Sequence, residues 1–207
     1  MTNQESRRPV RARASNWAQV VSAKLVQSSI TPNQISVASA VFAAIGALAI
    51  FQSTRPFALL ICIVFIQLRL ICNLLDGMVA IEGGKQSVLG SLYNEFPDRI
   101  ADSVLIVALG YAAGIPVLGW LGALIAALTA YIRVFGGTLG LAQDFRGPMA
   151  KQHRMAVMTI GCLAGAVEQV YTATLWSLSI AAVLIAAGSA ITCVTRTMAM
   201  VRQLKEN

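Results

Sequence analysis

Long apolar segments separated by short polar connections are the main pattern along the chain. Six such segments follow one another, one of them interrupted by charge: residues 33–52, 57–81, 87–112, 117–141, 151–170 and 173–201. An α-helix needs about 20 predominantly apolar residues to cross the hydrocarbon core of a bilayer. The pattern therefore predicts an all-α integral membrane protein with six transmembrane helices.

A shorter amphipathic segment precedes these six. In residues 15–29, Trp17, Val20 and Val21 recur at helical spacing and form an apolar stripe with Lys24 beside it. This pattern is typical of a helix that lies in the membrane interface.

The composition agrees with one membrane domain. Hydrophobic residues make up 57% of the 207 residues and charged residues only 12%, whereas soluble domains contain about 25% charged residues. We therefore expect two parts, a basic arm with the interfacial helix over residues 1–30 and a six-helix transmembrane domain over residues 31–207.

The distribution of positive charge predicts the topology. Lys and Arg outnumber Asp and Glu by 16 to 9, which gives a net charge of +7. The basic residues concentrate before the first segment, after the second and fourth segments, and in the C-terminal tail. Because cytoplasmic connections are enriched in Lys and Arg, we expect both termini to be cytoplasmic. The excess of positive charge indicates anionic lipid or phosphate ligands and not nucleic acid.

One stretch, residues 67–102, differs from the apolar chain around it. It carries five of the nine acidic residues: Asp76, Glu82, Glu95, Asp98 and Asp102. Ionisable groups at membrane depth are costly and usually mark a functional site.

Helical spacing groups these residues on two faces. Arg69, Asn73 and Asp76 share one face, and Asn94, Asp98 and Asp102 share a face of the next helix, one turn after Gly90. Two antiparallel helices would bring Asp76 and Asp98 to one level. Hard oxygen ligands suit Mg²⁺ or Mn²⁺, which also bind phosphate, and a carboxylate can act as a general base. Two alternatives remain open: the acids pair with arginines and merely connect helices, or they form an ion pathway.

A basic cluster lies further along the chain. Arg133 is in the fourth segment, and a Gly-Pro turn precedes Lys151 and Arg154 at the start of the fifth. A turn that opens a helix beside cations is suited to binding phosphate. The alternative is ordinary cytoplasmic positive charge.

These residues resemble a known signature. The patterns Asp76-Gly77-x-x-Ala80 and Gly90-x-x-x-Asn94-x-x-x-Asp98 are similar to D-x2-D-G-x2-A-R-x8-9-G-x3-D-x3-D of the CDP-alcohol phosphotransferases. The resemblance extends to residues 32–36, to Tyr131-x-Arg133 and to the Gly-Pro-x-x-Lys151 turn, so it covers most of the chain.

Three positions depart from the signature. Asn73 and Asn94 stand where the family has Asp, and Ile81 stands where it has Arg. An amide oxygen still binds a hard cation but brings no charge, so we expect weaker metal binding, and whether one metal or two bind stays open. Glu95 and Asp102 are the candidate compensating acids. The Asn-x-x-Asp-Gly-Met and Asn-Glu pattern resembles a bacterial branch of the family.

The resemblance implies an activity. A CDP-linked donor, usually CDP-diacylglycerol, binds with Mg²⁺ or Mn²⁺, Asp98 deprotonates an alcohol acceptor, and CMP leaves. It further implies a homodimer in the bacterial cytoplasmic membrane, with membrane lipid around it and the active site facing the cytoplasm. The acceptor stays open among glycerol phosphate, inositol phosphate, serine and other alcohols, and the basic cluster favours a phosphorylated one. Two other functions remain open, a catalytically impaired relative that binds CDP-lipid or lipid and an ion-coupled transporter.

The resemblance also assigns roles to residues. The implied metal ligands are Asn73, Asp76, Asn94 and Asp98. The implied nucleotide or donor contacts are Asn33, Ser36, Arg69, Gly77, Ala80 and Gly90. The implied acceptor and phosphate contacts are Arg133, Lys151 and Arg154.

Overall fold

The computed structural model describes Arg13 and residues 15–206, and in this part of the chain all regular structure is helical. The seven helices are α1 (Asn16–Gln27), α2 (Pro32–Ile50), α3 (Pro56–Ile81), α4 (Gly90–Ala112), α5 (Pro116–Thr138), α6 (Lys151–Tyr171) and α7 (Trp176–Glu206). The predicted all-α class is confirmed. Most of the predicted basic arm lies outside the described residues.

Local signals in the sequence determine where several helices begin. Pro32, Pro56 and Pro116 occupy the first turns of α2, α3 and α5, where a missing N–H costs nothing. Thr31 and Gln34 form a capping box at the start of α2: the Thr31 hydroxyl accepts from Gln34 N at 3.3 Å, and Thr31 N donates to Gln34 Oε1 at 2.9 Å.

Four helices in the described part of the chain are long and apolar enough to cross a membrane, namely α2, α3, α5 and α7. The remaining long helices, α4 and α6, are less apolar because their first halves carry charged residues. Helix α4 begins at Gly90 and not near residue 87, and α5 ends at Thr138. Its extension toward residue 141 is interrupted where Gly140 adopts a φ of +78°.

Because consecutive helices alternate in direction, the bundle has two distinct ends. The site end contains Asp76 of α3, Asp98 of α4 and Lys151 of α6. The far end contains Gly110 of α4, Gly119 of α5, Glu168 of α6 and Ser177 of α7. Between them lies an apolar core that includes Ile50, Ile66, Leu105, Ile106, Met158 and Ile185.

Helix α1 packs on the C-terminal half of α3. Ala18 is buried against Leu74 and Met78, while Trp17 and Val20 are exposed. The Lys85 ammonium group in the α3–α4 loop donates to the Ser28 carbonyl at 2.6 Å and to two neighbouring carbonyls. This contact fixes the α3–α4 loop against the end of α1.

Candidate functional site

Asp98 is the carboxylate around which the cations of the site end gather. The Lys151 ammonium group contacts Asp98 Oδ2. Arg99 Nη2 lies 3.6 Å from Asp98 Oδ2, and Arg69 Nη2 lies 3.8 Å from Asp98 Oδ1. Three positive groups from α3, α4 and α6 therefore surround one carboxylate.

Asp76 has different surroundings. Its Oδ2 accepts a hydrogen bond from Ser36 Oγ at 2.7 Å, and its Oδ1 accepts from Gly77 N at 2.6 Å. Asp76 is 6% exposed, and within the described residues no cation lies within ion-pair distance of it. Each of its oxygens accepts one hydrogen bond and has a further lone pair for a ligand.

Asn73 lies one turn before Asp76. Its Oδ1 accepts from Ser39 Oγ at 3.0 Å, and its buried Nδ2 has no hydrogen-bond partner in the described part of the chain. Asn94, one turn before Asp98, is exposed. The two amides that replace signature carboxylates therefore differ, since one is held by α2 and the other is open to the surroundings.

Asp102 is enclosed by arginines. Arg69 Nη2 donates to Asp102 Oδ1 at 2.5 Å, and Arg154 Nη2 donates to Asp102 Oδ2 at 2.7 Å. Arg69, Asp102 and Arg154 are 0%, 3% and 1% exposed. The Arg69 guanidinium is thus bound to carboxylates. Its contact with the CDP-linked donor stays a prediction.

Glu95 contacts the predicted acceptor residue of α5. The Arg133 guanidinium pairs with Glu95 Oε1 and donates to Gln143 Oε1 at 2.7 Å. Arg99 Nη2 also lies 3.7 Å from Glu95 Oε2. Both candidate compensating acids, Glu95 and Asp102, therefore have arginine partners, and their compensation of the missing charges stays a prediction.

The predicted donor residues lie along the first turns of α2, the last turns of α3 and the start of α4. A cavity of about 400 Å³ opens between the α1–α2 connection and the α3–α4 loop, lined by Ser28, Ser29, Thr31, Pro32, Asn33, Lys85 and Ser87. Asn33 Nδ2 donates to Ser87 Oγ at 3.4 Å across it. A Cβ at Gly90 would meet only Ser87 Oγ, at 3.6 Å, so the backbone there is open to a ligand.

Sequence reasoning missed two polar residues of this end. Ser39 holds Asn73, and Arg196 of α7 donates to Thr129 O at 2.6 Å and to Arg146 O at 3.0 Å. Arg99, which faces Asp98, was expected from the sequence only as a pairing partner of the acids. Arg196 had a recognisable signal, since it is a lone charge within the apolar segment 173–201. Ser39 had none, because a serine among small residues is typical of helix packing.

The donor set is small. Within the described residues, no group of three or more His, Cys, Asp or Glu side chains is arranged to hold a metal ion. Asp76 and Asp98 are two carboxylates, and the Asn73 oxygen is a neutral third donor. Mg²⁺ commonly takes one or two protein carboxylates and fills its other positions with phosphate oxygens and water. By donor type, the two carboxylates and the amide oxygen therefore suit a hard divalent cation.

Comparison with known proteins gives two relatives of similar length. An archaetidylinositol phosphate synthase of Aeropyrum pernix is 34% identical over 157 residues, which cover 75% of this chain and 78% of the relative. The inner membrane protein YnbA of Escherichia coli K12 is 27% identical over 147 residues, which cover 69% of this chain and 72% of that protein. No family model matches the chain. With the apolar helices, these relatives identify a membrane protein.

Solved structures give the same architecture. The phosphatidylinositol phosphate synthase PgsA1 of Mycobacterium tuberculosis with CDP-DAG bound has a TM-score of 0.71 at 22% identity, covering 90% of this chain and 94% of that chain. The same enzyme in complex with manganese and citrate has a TM-score of 0.70 at 22% identity, covering 88% of each chain. These two likenesses establish the fold.

The archaeal relative establishes more than the fold, because its identity exceeds 30% over three quarters of the chain. The protein described here also carries the signature around Asp76 and Asp98. The family and the enzyme class predicted from that signature are thereby confirmed: the chain belongs to the CDP-alcohol phosphotransferases, transferases of substituted phosphate groups that act in phospholipid biosynthesis.

Proposed function

We propose that this protein transfers a phosphatidyl group from CDP-diacylglycerol to a phosphorylated alcohol and releases CMP. The observation that carries the proposal is the pairing of two unlike carboxylates at one end of the bundle. Asp98 is surrounded by cations, whereas buried Asp76 is bound only by neutral donors among the described residues. The names of the relatives support a CDP-lipid donor and an inositol phosphate type of acceptor.

The site end is proposed to face the cytoplasm. Helices α2 to α7 then form six spans, with α1 in the membrane interface and both termini cytoplasmic. Charged groups within α4 and α6 face partners inside the bundle, as in Asp102 with Arg154, which supports counting these helices as spans despite their lower hydropathy. The localisation is the cytoplasmic membrane of a bacterium, and the assembly is a homodimer.

One divalent cation, Mg²⁺ or Mn²⁺, would be held by Asp76 and Asp98, with the Asn73 oxygen as the neutral ligand and Asn94 as a further candidate. When bound, the cation supplies positive charge to the phosphate oxygens of the donor. The manganese complex of the related synthase supports this assignment. The nucleotide would lie toward the cavity beside Asn33, near Ser36, Gly77 and Ala80.

The chain's own residues would carry the proton and the charge. Asp98 accepts the proton of the acceptor hydroxyl, whose oxygen then forms a bond to the β-phosphorus of the donor, and the bond from that phosphorus to the bridging oxygen breaks as CMP leaves. The ammonium group of Lys151 lies beside Asp98, and it attracts a phosphate on the acceptor. Arg133 and Arg154 are the other acceptor candidates. An incoming phosphate would exchange with Glu95 as the partner of Arg133.

A screen for CMP release tests this proposal. The purified protein in lipid nanodiscs is given CDP-diacylglycerol, Mg²⁺ or Mn²⁺, and in turn inositol phosphate, glycerol phosphate, inositol, glycerol or serine. We expect release with a phosphorylated acceptor, and a loss of about 100- to 10,000-fold in Asp98→Asn, since the carboxylate base is removed.

Two other results would contradict the proposal. CDP-diacylglycerol binding without CMP release from any acceptor would indicate a catalytically impaired relative, which the amides Asn73 and Asn94 would then explain. Wild-type turnover by Asp98→Asn would remove Asp98 from the role of base.

A further inference from the structure

Asp102 takes no part in the reaction proposed above, yet it has a conspicuous environment. It lies one helical turn after Asp98 on α4 and accepts from two arginines, Arg69 of α3 at 2.5 Å and Arg154 of α6 at 2.7 Å. All three side chains are at most 3% exposed. One carboxylate thus joins three helices inside the bundle.

The first connection runs from Asp102 through Arg69 to Asp98. Arg69 uses the same nitrogen, Nη2, for both carboxylates, at 2.5 Å from Asp102 and 3.8 Å from Asp98. Its Nε and Nη1 are buried and have no hydrogen-bond partner in the described part of the chain. The bond to Asp102 therefore decides where the guanidinium points, and with it the contact to Asp98.

The second connection runs through Arg154 to the start of α6. Arg154 Nη1 donates to Met149 O at 2.8 Å, two residues before Lys151, which is the first residue of that helix. The Lys151 ammonium group pairs with Asp98. Asp102 consequently acts on both members of the Asp98–Lys151 pair, on one through Arg69 and on the other through the turn that begins α6.

Stability alone does not account for this arrangement. Replacing a buried ion pair or triad by apolar side chains is often neutral or stabilising, because taking charges out of water is costly. The far end of the same helices is held without any ion pair between described residues. A buried triad that adds little stability but fixes the direction of two charged groups is suited to orienting a site.

We propose that Asp102 is a positioning residue that orients the Asp98–Lys151 pair through Arg69 and Arg154. This inference rests on the proposed function, since it concerns the same pair of charges. It assigns Asp102 a role in the rate of transfer and none in binding the CDP-linked donor.

The first experiment compares Asp102→Asn with Glu168→Gln in nanodiscs. Glu168 accepts from Ser177 N at the far end and serves as a control for losing a structural carboxylate. CMP release is normalised to the fraction of molecules that bind CDP-diacylglycerol. We expect kcat to fall about 100-fold in Asp102→Asn with KM for the donor unchanged, whereas Glu168→Gln lowers thermal stability and keeps the wild-type kcat.

The second experiment uses Arg69→Met, which leaves Asp102 paired with Arg154 and carries the test if Asp102→Asn does not fold. We expect a lower kcat and an unchanged donor KM; a raised donor KM with unchanged kcat would instead make Arg69 a donor contact and overturn the inference. In the double variant the two losses should not multiply, because both changes cut one connection.

The outcomes separate the two proposals. If the wild type releases CMP but Asp102→Asn matches the Glu168→Gln control, or if the losses multiply, the positioning role is wrong while the proposed function stands. If the wild type releases no CMP with any acceptor, both are wrong.

Discussion

The two ends of the helix bundle are held together by different kinds of contact. At the site end, arginine and lysine side chains from five helices, α3 to α7, meet carboxylates and backbone carbonyls, as Lys151 meets Asp98 and Arg196 meets Thr129. At the far end, α4 and α5 approach through Gly110 and Gly119, where a Cβ on Gly110 would lie 2.4 Å from the Gly119 Cα. Close packing of small residues therefore joins the helices at the far end, whereas contacts of charged side chains join them at the site end.

This difference separates the roles of the two ends. Close contact between small residues is sufficient to associate helices in a membrane, so the helices can associate at the far end without buried charge. Ionisable groups are costly at membrane depth. Their concentration around Asp76 and Asp98 therefore indicates chemistry, and substitutions at the two ends should affect different measurements.

The largest effect is expected from Asp76→Asn. The amide can still accept from Ser36 Oγ, so the fold should be kept. The site nevertheless loses the negative charge of Asp76, the carboxylate that pairs with no cation among the described residues. We expect CMP release to fall about 100- to 1,000-fold, as for other lost electrostatic groups, and Mn²⁺ binding measured by paramagnetic resonance to be lost. Unchanged Mn²⁺ affinity would remove Asp76 from the metal site.

A second prediction changes the far end of the bundle and leaves the site end as it is. In Gly110→Ala the new methyl group would meet backbone atoms of Gly119, at 2.4 Å from Cα and 2.7 Å from N, so α4 and α5 must separate. We expect the free energy of unfolding to fall by about 1–3 kcal/mol, while CMP release per folded molecule stays at the wild-type rate.

Gly137→Ala is the matched control for that change. A Cβ at Gly137 meets nothing within 4 Å, and alanine is favoured over glycine in a helix by about 1 kcal/mol. The temperature of thermal unfolding should therefore fall in Gly110→Ala and rise in Gly137→Ala, relative to the wild type. A loss of turnover in folded Gly110→Ala would mean that the two ends are coupled and that the division of roles is incorrect.

The fold was largely predictable because its determinants are local. Apolar length predicted α3 within one residue of its observed start, and Thr31-Pro32 marked the beginning of α2. The start of α4 was less predictable, since Ser87, Val88 and Leu89 are small or apolar and still belong to the loop that precedes Gly90. The positive φ of Gly84 ends the preceding turn, and hydropathy does not report backbone angles.

The site was predictable only as two helix faces. Spacing alone put Asp76 and Asp98 on facing surfaces, but it does not determine the register between two helices or the rotamers of long side chains. The Glu95–Arg133 and Arg69–Asp102 pairs depend on both. An arginine can reach several acids from one backbone position, so the choice among them becomes visible only in the folded bundle.

The third prediction restores a charge to the site end. In Asn73→Asp the unpartnered Nδ2 disappears, the Ser39 hydroxyl still has an acceptor, and a carboxylate is added one turn from Asp76. We expect Mn²⁺ to bind about tenfold more tightly, because opposite charges attract strongly in a partly buried site. Gln169→Glu, which adds the same charge at the far end, should leave Mn²⁺ affinity unchanged. An equal gain in Mn²⁺ affinity in both variants would mean that the net charge of the protein causes the effect and that Asn73 is not near the metal.

The smallest effect is expected where α2 enters the site end. Thr31→Ala removes the hydroxyl that accepts from Gln34 N, and losing such a cap costs about 1 kcal/mol. Because Ser36 holds Asp76 from the next turn of the same helix, fraying of α2 should also raise the KM for CDP-diacylglycerol. Thr138→Ala, which removes a hydroxyl that donates to Phe135 O within the last turn of α5, should leave that KM unchanged. If Thr31→Ala lowers stability without changing that KM, the start of α2 stabilises the fold but does not contribute to the site.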